Sequence, residues 1–227
     1  MSSAYVGDKP EAFNAAVQKH SDWLSENGFA IDVKKGSNEH FFNTFAPFAR
    51  AQGLYVIALL LACFSWLKMS RGLSNTAFYL IGLALVLHTT GLIFRMVLEG
   101  RPPVTNLYSS AVFVGWGAVL LGWILERIYR NGIGSCVAAL IGFSTLIIAA
   151  HLSKEGDTME MMRAVLDTNF WLATHVVCIT IGYAATFLAG FLALVYVLRG
   201  VFTPSLESDT AKGLARMVYG IVCFATL

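Results

Sequence analysis

Long uncharged apolar stretches constrain this sequence more than any other feature. A helix that crosses a bilayer core of about 30 Å needs about 20 mostly apolar residues. Of the 227 residues, 56% are hydrophobic and only 13% are charged, whereas an ordinary soluble domain is about 25% charged. The sequence therefore predicts an all-α fold, a polytopic membrane helix bundle. Five complete spans are predicted, at residues 51–67, 76–98, 107–125, 133–152 and 170–198.

A sixth apolar run begins near Leu214 and is still apolar at Leu227. Its uncharged part starts only at Met217, and that part is too short to cross a bilayer. We therefore expect a truncated sixth span. We also expect the chain to be a fragment of a longer protein.

The lysines and arginines of the short loops predict the orientation, because cytoplasmic loops carry an excess of these residues. Loops on one side carry Arg101, Lys154 and Arg163, the last two diluted by acidic neighbours. This side is predicted to be outside, together with the N-terminal segment 1–48. The loops predicted to be cytoplasmic carry more basic residues, namely Lys68, Arg71, Arg127, Arg130, Arg199 and Lys212.

The N-terminal segment is more polar than the rest of the chain. Apolar residues at helical spacing predict an amphipathic helix over residues 11–27, ending near Gly28. The stretch "IDVKKGSNEH" that follows is typical of an exposed turn. The net charge of the chain is only +2, so we expect no nucleic-acid partner.

His175 lies near the start of the fifth predicted span, where an ionisable residue is unusual. In the predicted orientation it lies at the external mouth of the bundle, with Trp171 one turn before it as an interface aromatic. No CxxC, CxxCH or second histidine accompanies it at metal-ligand spacing, so a metal role would be that of a single axial ligand to haem iron. The alternative, which periodicity alone favours, is an interfacial histidine bonded to a loop carbonyl.

His88 lies deeper in its predicted span, and Arg95 follows seven residues later on nearly the same helix face. Burying two ionisable groups in a membrane is costly, so we expect both side chains to face the bundle interior. One interpretation is a cavity that holds an acidic group such as a propionate, or a protonatable relay. The other is a histidine hydrogen-bonded to a neighbouring helix.

The predicted outer loop "GRPPVTNLYSS" is stiffened by two prolines, and Asn106 is suited to cap the helix that follows. Such a rigid loop can form one wall of a binding face. Two further features have ordinary interpretations. His151 is expected to be solvated or to cap its helix, and Glu126 and Arg130 are expected to form a surface i,i+4 pair.

Three stretches of the chain resemble stretches that follow one another in the same order in the CcsA/ResC family, the membrane haem-handling subunit of system II cytochrome c biogenesis. "GRPPVTNLYSS" is similar to that family's Gly-x-x-Pro-x-x-Asn-x-Tyr-Glu-Ser loop, with Ser109 in place of the usual acidic residue. "HTTGLIFR" resembles a His-Thr-x-Gly-Leu-x-x-Arg stretch of the fused CcsBA proteins. "NFWLATHVVCITIGYAA" resembles the Trp-Leu-x-x-His-Val segment that opens the helix before the family's tryptophan-rich WWD signature.

The resemblance implies that residues 49–227 form a CcsA-like cytochrome c assembly membrane domain, incomplete at its C-terminus. It implies that His175 is an axial ligand to haem b, held non-covalently in transit, on the outer side of a bacterial inner membrane. His88 is a second candidate ligand or relay, and Arg95 and Trp171 are expected beside the cofactor.

The same resemblance implies the reaction and the partners. As part of a holocytochrome c synthase, the protein would position haem for attachment to the CxxCH thiols of apocytochrome c, beside a CcsB/ResB-type partner, fused or separate. The reactive atoms belong to haem and acceptor, so no catalytic side chain is assigned.

Two alternatives belong to other functional classes. A membrane anchor subunit of a haem or quinone redox complex requires paired histidines on facing helices within the membrane. A transporter or scaffold without haem predicts no haem absorbance in the purified protein.

Overall fold

The computed structural model describes residues 5–68, 70–154, 158, 168–202 and 208–227. The chain divides into two compact units, Met1–Ala46 and Pro47–Leu227. Within the described ranges every regular element is helical and no residue is in a strand.

The N-terminal unit contains two helices, α1 (Pro10–Leu24) and α2 (Ala30–Phe45), joined by a π-helical turn at Ser25–Phe29. Gly28 interrupts the helical backbone there with a φ of 94°, so the predicted helix and its end are confirmed. The predicted turn after it is wrong, because "IDVKKGSNEH" lies inside α2. Gly36 costs a helix only about 1 kcal/mol relative to alanine, and the surrounding lysines and glutamate are good helix formers.

The membrane unit contains the predicted spans. Among the residues that the structure describes, five helical stretches are long and apolar enough to cross a membrane, so the predicted integral membrane bundle is confirmed. The predicted sixth run is helical as well, and its helix begins before Leu214. The helices are α3 (Pro47–Lys68), α4 (Arg71–Glu99), α5 (Leu107–Tyr129), α6 (Ile133–Leu152), α7 (Asn169–Trp171), α8 (Val177–Phe202) and α9 (Ser208–Thr226), with a π-helical turn at Leu172–Val176 between α7 and α8.

Small residues allow the membrane helices to approach closely. Helix α6 packs against both α3 and α5, α4 packs along α3, and α8 packs between α5 and α9. A Cβ at Gly142 would lie 2.9 Å from the ring of Tyr55, and a Cβ at Gly122 would lie 2.9 Å from the Cβ of Ala138. Close approach of this kind is how helices associate where lipid is as apolar as the side chains.

The two ends of the membrane unit are named here by the residues that form them, the 100–106 end and the 130–132 end. At the 100–106 end, α4 stops at Gly100 in the left-handed conformation, and the Gly100 N–H donates to the Met96 carbonyl at 2.9 Å. Asn106 then starts α5 with a reciprocal capping box: its Oδ1 accepts from the Ser109 N–H at 2.8 Å and Ser109 Oγ accepts from the Asn106 N–H at 2.8 Å. The predicted cap is confirmed.

Glu126 closes the opposite end, the 130–132 end. Its side chain is buried, and it accepts hydrogen bonds from the Gly132 N–H at 2.8 Å and the Ser135 N–H at 3.2 Å. A carboxylate in this place satisfies the unpaired N–H groups at the start of α6. The predicted surface pair with Arg130 is therefore wrong. Arg130 itself adopts the left-handed conformation, φ 50°, and turns the chain back over Glu126.

Replacing Glu126 with alanine is expected to lower the free energy of unfolding by about 1–3 kcal/mol, because two buried backbone N–H groups lose their acceptor. Glu126→Gln is the matched control, since its amide oxygen still accepts one of the two bonds, and it should cost less. Reversible unfolding in detergent micelles measures both variants. Equal losses for the two substitutions would show that the carboxylate oxygens are not what stabilises this turn.

Candidate functional site

His88 is fully buried in the membrane unit, at 0% exposure. Its Nδ1 lies 3.3 Å from the hydroxyl of Tyr55 on α3, and the ring of Phe48 approaches its edge with a centroid distance of 5.6 Å. The Nε2 atom has no hydrogen-bond partner in the described part of the chain. The backbone of Val112 on α5 lies beside the ring.

The unpartnered Nε2 gives His88 a defined chemical capacity. If Nδ1 carries the proton and donates a hydrogen bond to the Tyr55 hydroxyl, the lone pair of Nε2 is free. This is the usual state of a metal-binding histidine whose ring is oriented by its other nitrogen. The same lone pair can accept a proton. A porphyrin can reach Nε2 only if a neighbouring helix moves, because the ring has no exposed surface.

Arg95 lies two turns further along α4, in a buried polar network at the 100–106 end. Its guanidinium forms an ion pair with Glu99 at 2.6 Å, with the two side chains 6% and 8% exposed. It also donates to the carbonyl of Thr158 at 2.6 Å and lies over the ring of Tyr108, 4.7 Å from the centroid. Asn106 donates to the same Thr158 carbonyl at 2.7 Å.

The prediction that His88 and Arg95 both face the interior is confirmed, but their surroundings differ. The acidic group beside Arg95 is the side chain of Glu99, which sequence reasoning missed although its i,i+4 spacing signals such a pair. None of the partners of Arg95 in the described residues is shared with His88. The network instead joins the end of α4, the 100–106 loop and Thr158.

His175 is exposed, in the π-helical turn Leu172–Val176. Within the described residues its ring has no hydrogen bond and no ring contact. The bond to a carbonyl of the preceding loop, the alternative interpretation, concerns residues 155–157 and 159–167, which lie outside the described residues. Trp171, one turn earlier, is 48% exposed and packs edge-on against Phe170, with ring centroids 5.3 Å apart. The imidazole is therefore accessible and stands beside exposed aromatic surface.

An apolar groove of about 680 Å³ adjoins this turn at the 100–106 end. One wall is the loop with Pro102 and Pro103, as predicted, and another is formed by Ala173 and Val177, which flank His175 in sequence. His175 itself does not line the groove. The volume is within the range of about 300–1,000 Å³ typical of small-molecule sites.

The sequence matches the model of a protein family described as "Cytochrome C assembly protein" over residues 104–227, more than half of the chain. The chain belongs to this family.

Several curated relatives agree with this membership. The chain is 28% identical over 169 residues to the cytochrome c biogenesis protein CcsA of Prochlorococcus marinus (strain NATL2A), which covers 72% of this chain and 52% of the relative. It is 27% identical over 179 residues to CcsA of Synechococcus sp. (strain WH7803), an alignment that covers 74% of this chain and 54% of the relative. It is 29% identical over 130 residues to Protein NrfI of Wolinella succinogenes, an alignment that covers 55% of this chain and 14% of the relative. The chain thus spans about half the length of its CcsA relatives.

The predicted resemblance to CcsA is therefore confirmed. Within this member of the cytochrome c assembly family, His175 and Trp171 lie inside the matched region, whereas His88 and Arg95 precede it. The other three histidines, His20, His40 and His151, are exposed, and His151 Nδ1 lies 3.0 Å from the Ile147 carbonyl. No cluster of three or more metal-binding side chains occurs among the described residues.

Proposed function

We propose that this chain handles haem during cytochrome c maturation, with His175 as an axial ligand at the predicted outer face of the membrane. The observation that carries the proposal is the imidazole of His175, which is exposed and has no hydrogen bond within the described residues, beside Trp171 and next to an apolar groove, in a member of the cytochrome c assembly family. An imidazole ligand next to apolar walls fits a single axial bond to haem iron.

Haem b is the cargo that this arrangement fits, held without a covalent bond. The cargo supplies the iron and the vinyl groups that receive the CxxCH thiols of apocytochrome c. The residues of the chain bind and orient it: His175 offers one ring nitrogen, while Trp171 and Phe170 offer aromatic surface. The groove beside Pro102 and Pro103 excludes water from the apolar ring. Positioning of this kind is the main contribution of a protein to cofactor chemistry.

Arg95 acts in this proposal as a positioning residue. Its guanidinium holds Glu99 and the Thr158 carbonyl, and Asn106 donates to that same carbonyl. The 100–106 loop, which forms the groove wall, is thereby fixed to the end of α4. The role proposed for His88 is that of a second, internal ligand or a proton relay, through Nε2 and with a neighbouring helix displaced.

The reaction and partners proposed are those of a holocytochrome c synthase. The chain would form part of it in a bacterial inner membrane, with a CcsB/ResB-type partner, fused or separate, and with the haem site on the periplasmic side. The excess of basic residues at the opposite end supports this sidedness, and the family membership supports the reaction class.

The redox-anchor alternative needs two buried histidines on facing helices. All five histidines lie in the described part of the chain, and only His88 is buried. The geometry therefore favours the haem-handling proposal over this alternative. A transporter or scaffold without haem remains distinguishable by absorbance.

An absorption spectrum of the full-length gene product tests the proposal. The wild-type protein, purified from haem-replete cells, should show a haem Soret band that His175→Ala weakens and shifts, because one axial ligand is lost. His151→Ala is the matched control, since His151 is also an exposed histidine, in the last turn of α6, and it should leave the band unchanged. A wild-type protein without haem absorbance would favour the scaffold, and an unaltered band in His175→Ala would remove His175 from the site.

A further inference from the structure

A continuous groove, here called the α4–α5 groove, runs between α4 and α5 on the outward face of the membrane unit. Its apolar part has a volume of about 500 Å³, and its polar part, at the 130–132 end, about 460 Å³. Tyr79 and Trp123 line both parts, so the two parts form one surface. Tyr79 is 72% exposed, so the groove is open at the surface of the membrane unit.

The polar end of the groove carries two positive charges. Arg127 and Arg130 line it and are exposed, and within the described residues neither guanidinium has an ion pair or hydrogen bond. Glu126 lines the same end, but its two oxygens accept from the N–H groups of Gly132 and Ser135. The carboxylate is committed to the start of α6, so the paired arginines favour an anion at this end.

The rest of the groove is suited to a hydrocarbon chain. Its walls include Leu85 and Val86, and Gly82, which has no side chain, leaves a notch beside Trp123, where a Cβ would lie at the ordinary contact distance of 3.5 Å from the ring. The Trp123 indole N–H already donates to the Phe78 carbonyl at 3.1 Å, and the ring stacks on Phe78 with centroids 4.9 Å apart. Trp123 therefore offers ring surface and no free donor to an occupant.

The length of the groove is close to the thickness of one leaflet of a bilayer. From Ser74 to Thr90, the outermost α4 residues that line it, the helical rise amounts to about 24 Å. One leaflet, head groups included, is about 20–22 Å thick, half of the whole bilayer. The charged end lies at the 130–132 end, where the membrane-water boundary is expected. The cationic end, the apolar walls and the length of the groove together fit a single amphiphile with an anionic head group.

We propose that the α4–α5 groove binds one phospholipid with an anionic head group. Its phosphate lies on Arg127 and Arg130, and one acyl chain follows Gly82 and Trp123 toward the middle of the membrane. The proposal does not depend on the haem-handling function, because the groove uses none of the residues proposed for that site.

Lipid retention measured by native mass spectrometry tests this site. The full chain is reconstituted into nanodiscs with equal amounts of phosphatidylglycerol and phosphatidylcholine. The lipids that stay bound after the protein is released from the nanodisc are then counted. The wild-type protein should retain phosphatidylglycerol over phosphatidylcholine by roughly 10- to 30-fold, as expected for two basic residues near an anionic lipid. The R127Q/R130Q variant should retain lipid but lose most of this preference.

Three further variants separate shape from charge. Gly82→Leu fills the notch and should remove both lipids, whereas Gly82→Ala adds a Cβ at ordinary contact distance and should retain them. Arg71→Gln removes an exposed charge on α4 that does not line the groove and should leave the preference unchanged. Thermal unfolding followed by circular dichroism should be the same for all variants and the wild type.

Three results would overturn the proposal: equal retention of the two lipids by the wild type, an unchanged preference in R127Q/R130Q, or undiminished binding in a folded Gly82→Leu. A fourth concerns a different occupant. If the wild type carries a haem chromophore that R127Q/R130Q and Gly82→Leu both lose while His175→Ala keeps it, the groove belongs to a haem dicarboxylate and not to a lipid.

Discussion

Replacing Arg95 with leucine is expected to lower the free energy of unfolding of the membrane unit by about 3–5 kcal/mol. The guanidinium and the carboxylate of Glu99 are 2.6 Å apart, with the two side chains only 6% and 8% exposed. Without Arg95, Glu99 keeps a single weak partner among the described residues, the hydroxyl of Thr105 at 3.3 Å. A buried carboxylate that loses its counter-charge is far more costly than the loss of the pair itself.

The loss of Arg95 should also loosen the 100–106 end. The guanidinium lies over the ring of Tyr108 at 4.7 Å and donates to the Thr158 carbonyl at 2.6 Å. After the substitution this carbonyl keeps the hydrogen bond from Asn106 at 2.7 Å. The loop should therefore remain attached, but by fewer bonds.

The double variant R95L/E99L is the informative control. It removes the charge that Arg95→Leu leaves without a partner, so it should be more stable than Arg95→Leu alone even though it carries one more substitution. Reversible unfolding in detergent micelles measures wild type and both variants. A double variant less stable than Arg95→Leu would mean that Glu99 stabilises the fold through contacts other than this ion pair.

The membrane helices were predictable from sequence because each fills a long uncharged apolar run, and their lengths follow from bilayer thickness. Helix α2 was not predictable in the same way. Its residues 31–40 contain glycine, serine and asparagine, which favour turns in the absence of other information. These weak propensities are outweighed by neighbouring helix formers, Lys34, Lys35 and Glu39.

The candidate site was partly predictable. The seven-residue spacing of His88 and Arg95 was enough to predict that both face inward. The partners of these two residues could not be predicted in this way. The contact of His88 with Tyr55 depends on the register of α3 against α4, because the two residues are 33 positions apart in sequence. The buried place of Glu126 likewise depends on the turn at Arg130, which brings the start of α6 back to the end of α5.

Replacing His175 with alanine is expected to abolish cytochrome c maturation by the full-length gene product. The side chain is exposed and has no hydrogen bond within the described residues, so its removal should not unfold the protein. The expected defect is the loss of one axial bond to haem iron, with haem content falling toward background.

Imidazole in the growth medium distinguishes ligation from a structural role. A free imidazole can fill the vacant coordination position left by His175→Ala, so it should partly restore both haem content and covalent haem attachment to a reporter cytochrome c. His151→Ala should mature the reporter normally with or without imidazole. Two measurements check this: the Soret absorbance of the purified protein and haem staining of the reporter after denaturing electrophoresis. Normal maturation in His175→Ala would contradict the ligand role, and a defect that imidazole leaves unchanged would mean that the ring acts through its contacts and not through iron.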